Sequence, residues 1–188
     1  MPGAVAGWKA LSERFGKLPF ADLLEPGIDI AERGYLMPVV VQQKWAAATP
    51  ELGKQPGFAE GFLPWGRAPE VGELFHFKAA ARALRLIAET KGESFYRGEI
   101  AQAIKRFSSA HGGAMKASDL AGFQPEWVEP IGRDYRGFRL HEIPPNGQGI
   151  AALIALGIVE KFDMVHVDAL AVLAAGLALV VGHVCLPS

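Results

Sequence analysis

Only one stretch of this 188-residue chain carries strand-type alternation, and that scarcity limits what it can fold into more than any other feature. Between Glu126 and Pro144, the apolar residues Trp127, Val128, Ile131, Tyr135, Phe138, Leu140 and Ile143 alternate roughly with polar ones around Arg136-Gly137, which predicts a β-hairpin or two successive strands. Two strands are marginal by themselves, because a ribbon of that size leaves both edges unpaired and needs further strands or a helix layer to bury its faces. The rest of the pattern is helical. Trp8, Leu11 and Phe15 predict a helix over residues 4–15 that stops at Gly16. A short helix is expected from Pro26 in its first turn, through Ile28 and Ala31, to Arg33-Gly34, and a third from Pro38 with Val41, Trp45 and Ala48 on one face. Residues 49–73 are dense in Pro and Gly and predict a long irregular excursion. Ala80, Leu84 and Ile87 mark a helix ending near Gly92, and Ile100, Ala103, Ile104 and Phe107 one that stops at Gly112-Gly113. Ser118 is the expected N-cap of a short turn. After Pro144-Pro145 and the loop Asn146-Gly147-Gln148-Gly149, the residues Ile150, Leu153, Ile154 and Ile158 predict an amphipathic helix to about Lys161.

Composition excludes several classes. Half the residues are hydrophobic, as a packed core requires, and 19 basic against 20 acidic residues leave no electrostatic footprint for nucleic acid. The one cysteine, Cys185, cannot form an intramolecular disulfide, and its apolar neighbours would raise a thiol pKa, making it a poor nucleophile. His76, His111, His141, His166 and His183 are scattered without metal-ligand spacing, so neither a metal nor another cofactor is expected. There is no Gly-x-Ser-x-Gly elbow. Glu93 and Glu99 beside Arg97 have acid/base chemistry but read as solvated charges at a helix start. The Asn146 to Gly149 loop opens a helix. Its free N–H groups could hold an anion or carboxylate, but by spacing alone a tight turn after two prolines is the favoured reading.

Several segments together resemble the gamma-glutamyltransferase (gamma-glutamyltranspeptidase) family. They are Pro2-Gly3-Ala4-Val5-Ala6-Gly7-Trp8, Phe15-Gly16-Lys17-Leu18-Pro19-Phe20, Ala31-Glu32-Arg33-Gly34, Phe95-Tyr96-Arg97-Gly98-Glu99-Ile100-Ala101, Asp119-Leu120-Ala121, Tyr135-Arg136-Gly137 and Pro144-Pro145-Asn146-Gly147-Gln148-Gly149. The resemblance runs in order from Pro2 to about Met164 and is to the large-subunit region. The Asn-Gly-Gln-Gly form is more similar to the acylase-like branch than to the glutathione-cleaving enzymes, which tend to carry Ser-Ser-Gly-Gly there. The resemblance implies an α+β, predominantly helical fragment of an N-terminal-nucleophile hydrolase αββα sandwich. Such a precursor cuts itself before a threonine to give a large and a small subunit. The freed hydroxyl attacks a γ-glutamyl amide while its own α-amine, with an unperturbed pKa of about 7.7 to 8, acts as base. Complete members are cytoplasmic or periplasmic, and this chain shows no export signal at its front.

Thr49 precedes Pro50 and Thr90 precedes Lys91, and neither stands in the family's processing context. The expectation is therefore a fragment over residues 1–164 that is inactive alone, with no catalytic residue assigned and with Asn146, Gly147, Gln148 and Gly149 as candidate cleft residues. A γ-glutamyl or related amide substrate would meet only the complete enzyme, with a small subunit as partner. The other readings are a noncatalytic scaffold pairing with a separate small subunit, or a tail-anchored membrane protein. Residues 165–188 diverge from the family, since no Asp, Glu, Lys or Arg follows Asp168. A helix apolar all round is buried or in lipid, and about 20 residues span a bilayer. A buried helix, a membrane-seeking tail and an altered reading frame all remain open for that segment.

Overall fold

The computed structural model describes residues 2–162, in two compact units that divide between Pro125 and Glu126. Expectations for the apolar tail and for Cys185, His166 and His183 lie outside the described residues. No helix among the described residues is long and apolar enough to cross a membrane.

The first unit is helical. Helix α1 (Ala4–Phe15) has the predicted span, but its predicted apolar stripe faces outward: Trp8, Leu11 and Phe15 are exposed and Val5 is the buried residue. The opposite, small-residue side packs, because Ala and Gly let a neighbouring backbone come close. A Cβ added at Gly92 would already meet Val5 Cγ1 at 3.1 Å. Tyr96 fixes this helix start, since its hydroxyl donates to Pro2 O and accepts from the Ala6 N–H, both at 3.0 Å. Helix α2 (Phe20–Arg33) begins six residues before the predicted start, and Pro26 sits inside it rather than in its first turn. Pro26 has no N–H to give. The helix persists because Ile28 and Ala31, with Ala21 and Leu24, pack against Ala81, Leu84 and Ala88 of a later helix, α5 (Lys78–Glu89). Leu24 also touches the adjoining cluster of Val5, Ile87 and Tyr96, so one side chain joins both parts of the core.

Between these helices the chain is more ordered than its Pro and Gly content predicts. Strand β1 (Tyr35–Leu36) is followed by α3 (Val39–Leu52), which runs through Pro50, and by the single-turn α4 (Phe58–Phe62). Strand β2 (Leu74–Phe75) then pairs antiparallel with β1 in the register Tyr35↔Phe75. The bonds Met37 N–H to Glu73 O and Gly72 N–H to Met37 O, both 2.9 Å, extend this clamp around a fully buried Met37. Trp45, Phe62, Phe75 and Phe77 make edge-on or tilted ring contacts inside it. Local composition signalled turns, whereas a nonlocal clamp and an aromatic cluster determined the outcome.

Helix α5 ends where Gly92, at φ +87°, lets its N–H reach back to Ile87 O. The single-turn α6 (Glu93–Tyr96), α7 (Glu99–Ala110) and α8 (Ala117–Ala121) follow. Ser118 lies within α8 and is not its cap; the Asp119 carboxylate accepts from the Lys116 N–H at 2.8 Å and closes that end.

The second unit contains the expected hairpin. β3 (Ile131–Tyr135) and β4 (Phe138–Glu142) pair antiparallel, with Arg136 at φ +47° and Gly137 at φ +85° in the turn. Two successive left-handed residues match the right-handed twist of the strands. Helix α9 (Gly149–Val159) packs on β3, and charge is arranged along it. Glu142 lies against Gly149 at its start, while Arg133 lies over Gly157 and pairs with Glu160 at 3.3 Å near its end. An acid at the N-terminus and a base toward the C-terminus both oppose the helix dipole. Of the four predicted core positions of α9, only Leu153 is buried; Ile150, Ile154 and Ile158 form an exposed stripe at i, i+4 and i+8. Because this helix is apolar on nearly every side, periodicity could not select the face that packs.

Replacing Tyr96 by Phe removes both bonds at the start of α1 and leaves the Ala6 N–H without its partner. A loss of about 1–3 kcal/mol of stability is expected from urea unfolding followed by circular dichroism, whereas Trp8→Ala, at an exposed position, should change it by less than about 0.5 kcal/mol.

Candidate functional site

The chain's threonines decide first what chemistry the described residues can do. Thr49 Oγ1 donates to Trp45 O at 2.9 Å, one turn back along α3. Thr90 Oγ1 donates to Leu86 O at 2.6 Å and accepts from the Ser94 N–H at 3.0 Å. Both hydroxyls donate to their own helix backbone, and the bonds they make are to backbone atoms rather than to a side-chain base. That is a helix-end role and not the arrangement of an activated nucleophile.

None of the described histidines hydrogen-bonds either threonine hydroxyl. Nδ1 of His76 bonds Glu32 O at 2.9 Å and Nδ1 of His111 bonds Phe107 O at 2.8 Å, while His141 is an exposed residue of β4. Among the described residues no group of three His, Cys, Asp or Glu side chains converges as a metal site would need. Glu93 pairs with Arg97 at 2.9 Å and Glu99 with Arg82 at 2.5 Å, so both are exposed ion pairs. A cavity of about 270 Å³ in the first unit is bordered by Lys9, Glu13, Lys91, Glu93, Tyr96 and Arg97, where Lys9–Glu13 at 2.9 Å is also an ion pair.

The described carboxylate most strongly perturbed is Glu73, in the clamp. Arg67 grips it with two bonds of 2.9 and 2.7 Å, and the Glu70 N–H adds a third of 2.7 Å. The guanidinium hydrogen bonds, followed by that backbone N–H, hold its carboxyl well below the usual range, at about 2. This triad closes the loop leading into β2 and is structural, because Arg67 also donates to Ala68 O at 3.0 Å.

The Asn146 to Gly149 loop joins β4 to α9. Asn146, Gly147 and Gln148 are exposed and Gly149 is half-buried. Neither glycine has a positive φ, so left-handed geometry is not what selects them. A Cβ on Gly147 would meet nothing within 4 Å. On Gly149 it would lie 2.5 Å from Glu142 Oε2 and 2.7 Å from Glu142 Cβ. Gly149 is therefore required by the carboxylate that packs on it. Glu142 was not singled out in the sequence, although its position as the last alternating polar residue before Ile143-Pro144-Pro145 is visible there. Its seven-residue separation from Gly149 becomes contact only when the prolines turn the chain.

The sequence profile of the gamma-glutamyltranspeptidase family matches residues 1–179. Among curated relatives, the glutathione hydrolase-like YwrD proenzyme of Bacillus subtilis (strain 168) is 34% identical over 89% of this chain and 32% of its own length. Among solved structures, cephalosporin acylase from Bacillus halodurans is 45% identical with a TM-score of 0.84, over 92% of this chain and 33% of that one. Helicobacter pylori gamma-glutamyltranspeptidase aligns with a TM-score of 0.83 at 26% identity, over 94% of this chain and 53% of that one. The chain thus spans about a third of the length of the curated relative.

Because Glu73 has a depressed carboxyl pKa, its contribution to the clamp is complete above the ordinary carboxylate range and is lost as pH falls toward 2. Carboxyl-carbon NMR titration should place its midpoint near that value, and Arg67→Ala should raise it toward the ordinary carboxylate range without fully reaching it, because the Glu70 N–H bond remains.

Proposed function

We propose that this chain, which belongs to the gamma-glutamyltranspeptidase family, provides part of the large-subunit framework of an N-terminal-nucleophile amide hydrolase or acyltransferase and is inactive by itself. The observation that carries this reading is the engagement of both threonine hydroxyls with their own helix carbonyls. Acyl transfer of this kind requires a hydroxyl beside a base, and in the family that pair is a single N-terminal threonine. The nucleophile then comes from the small-subunit part of the fold.

The surface supports the same reading. Trp8, Leu11 and Phe15 on α1 are exposed, as are Val39, Val40 and Val41 on α3 and Ile150, Ile154 and Ile158 on α9. Exposed apolar groups on this scale are a mark of protein–protein contact. The hairpin and α9 form one strand layer on one helix layer, which suits half of an αββα sandwich whose remaining strands would pair with the ribbon's edges. In that assembly the Asn146 to Gly149 loop, at the end of a strand and the start of a helix, lies at the substrate cleft. The substrate is a γ-glutamyl or related acyl amide, consistent with relatives named as glutathione hydrolase-like and cephalosporin acylase.

A noncatalytic scaffold paired with a separately encoded small subunit differs from this reading only in what the assembly does. The tail-anchored reading concerns residues outside those described.

Purified chain should release no chromophore from a γ-glutamyl anilide above the rate of buffer, and Thr49→Ala and Thr90→Ala should leave that result unchanged. Co-expression with a threonine-bearing small-subunit segment of a relative should yield a co-purifying complex with measurable turnover. Turnover by the chain alone, abolished by substituting one of its own residues, would overturn the proposal. An inactive but stable complex would favour the scaffold reading.

A further inference from the structure

Five charged side chains border the cavity of about 270 Å³ in the first unit, and four of them are matched: Lys9 with Glu13 and Arg97 with Glu93, both at 2.9 Å. Lys91 is the fifth. Among the described residues its ammonium has no ion-pair partner, so three cations against two carboxylates leave the cavity one net positive charge. Lys91 also borders a second recess, of about 190 Å³, that shares Lys9 and Glu13 with the first. Its backbone is left-handed at φ +49°, a conformation that glycine or asparagine adopts more readily. Gly92 closes α5 through its own bond to Ile87 O, so the cap does not itself call for a lysine at residue 91. Apolar groups complete much of the larger cavity's lining, with Val5 buried and Phe123 stacked on Tyr96 at 5.7 Å. An unmatched cation thus shares a cavity with apolar surface.

We propose that this cavity binds a small organic carboxylate, with Lys91 pairing its charge and Val5, Ala6 and Phe123 packing against its carbon body. A cation alone would take any anion. The apolar lining selects one that gains by leaving water, and the carboxylates of Glu13 and Glu93 on the same border oppose a compact dianion. At about 30 Å³ for each water molecule, the space equals that of about nine waters and takes a ligand of about nine non-hydrogen atoms. The inference stands on the first unit alone and does not depend on the reading of the Asn146 to Gly149 loop.

The test uses the full ¹⁵N-labelled chain and sodium benzoate, which matches that size, titrated at constant ionic strength while the amides of Ala6, Gly92 and Phe123 are followed. Benzoate should shift all three saturably. Benzamide has nearly the same shape without the charge and should bind at least about tenfold more weakly, the loss expected of a charge-assisted hydrogen bond. Inorganic sulfate should also bind more weakly than benzoate. Lys91→Asn suits the left-handed backbone and should unfold in no less urea than the unsubstituted chain, yet lose benzoate affinity by about tenfold or more. Lys91→Gln keeps the length of the stem and should lose the same factor, which guards against a folding defect in either variant alone. Equal benzoate affinity in the unsubstituted chain and the two variants would overturn the inference, as would the absence of saturable shifts. Benzamide or sulfate binding as tightly as benzoate would overturn it too, because the cavity would then read either the ring alone or the charge alone.

Discussion

Close approach between α2 and α5 is the contact on which the first unit depends. Ala81 and Ala88 are almost completely buried beside Ile28, and small side chains on α5 let α2 lie near enough for Leu24 and Leu84 to fill the space between them. Leu24 carries the packing on to Val5, Ile87 and Tyr96. With α2 so held, its internal Pro26 is tolerated, since the hydrogen bond lost at the proline is small against the apolar area the helix buries. The C-terminal end of α2 leads straight into β1, and the start of α5 follows β2, so the same helix pair brings the two ends of the 39–73 excursion together. Phe77 N–H to Ala31 O, at 2.8 Å, ties the two approaches.

The second unit is organised by charge as much as by apolar burial. A helix as uniformly apolar as α9 could roll about its axis on the hairpin at little difference in buried area. Arg133 over Gly157 and Glu142 against Gly149 remove that freedom, because each needs a residue without a Cβ beneath it. The two glycines lie eight residues apart and so fall close to one face of the helix. They fix which side meets the strands and leave Ile150, Ile154 and Ile158 outward.

These arrangements lead to one functional conclusion. Both described threonine hydroxyls and the Nδ1 atoms of His76 and His111 bond backbone carbonyls nearby in the fold, while Trp8, Leu11, Ile154 and Ile158 are apolar and exposed. Such a chain fits the proposed role of framework in a larger assembly. The Asn146 to Gly149 loop is pinned where Gly149 meets the side chain of Glu142, the residue that ends β4.

Helix positions followed from local spacing: α1, α5, α7 and α9, and the hairpin turn at Arg136-Gly137, are visible in periodicity and in left-handed turn residues because those signals act over a few residues. The same sequence, through its dispersed matching segments, established the family. What it could not give was the outward face of α1 and α9, the continuation of α3 through Pro50, the β1–β2 clamp, and the meeting of Glu142 with Gly149. Each depends on where a distant part of the chain lies. Burial, pairing and close approach are properties of two surfaces at once, and spacing along one segment describes only one of them.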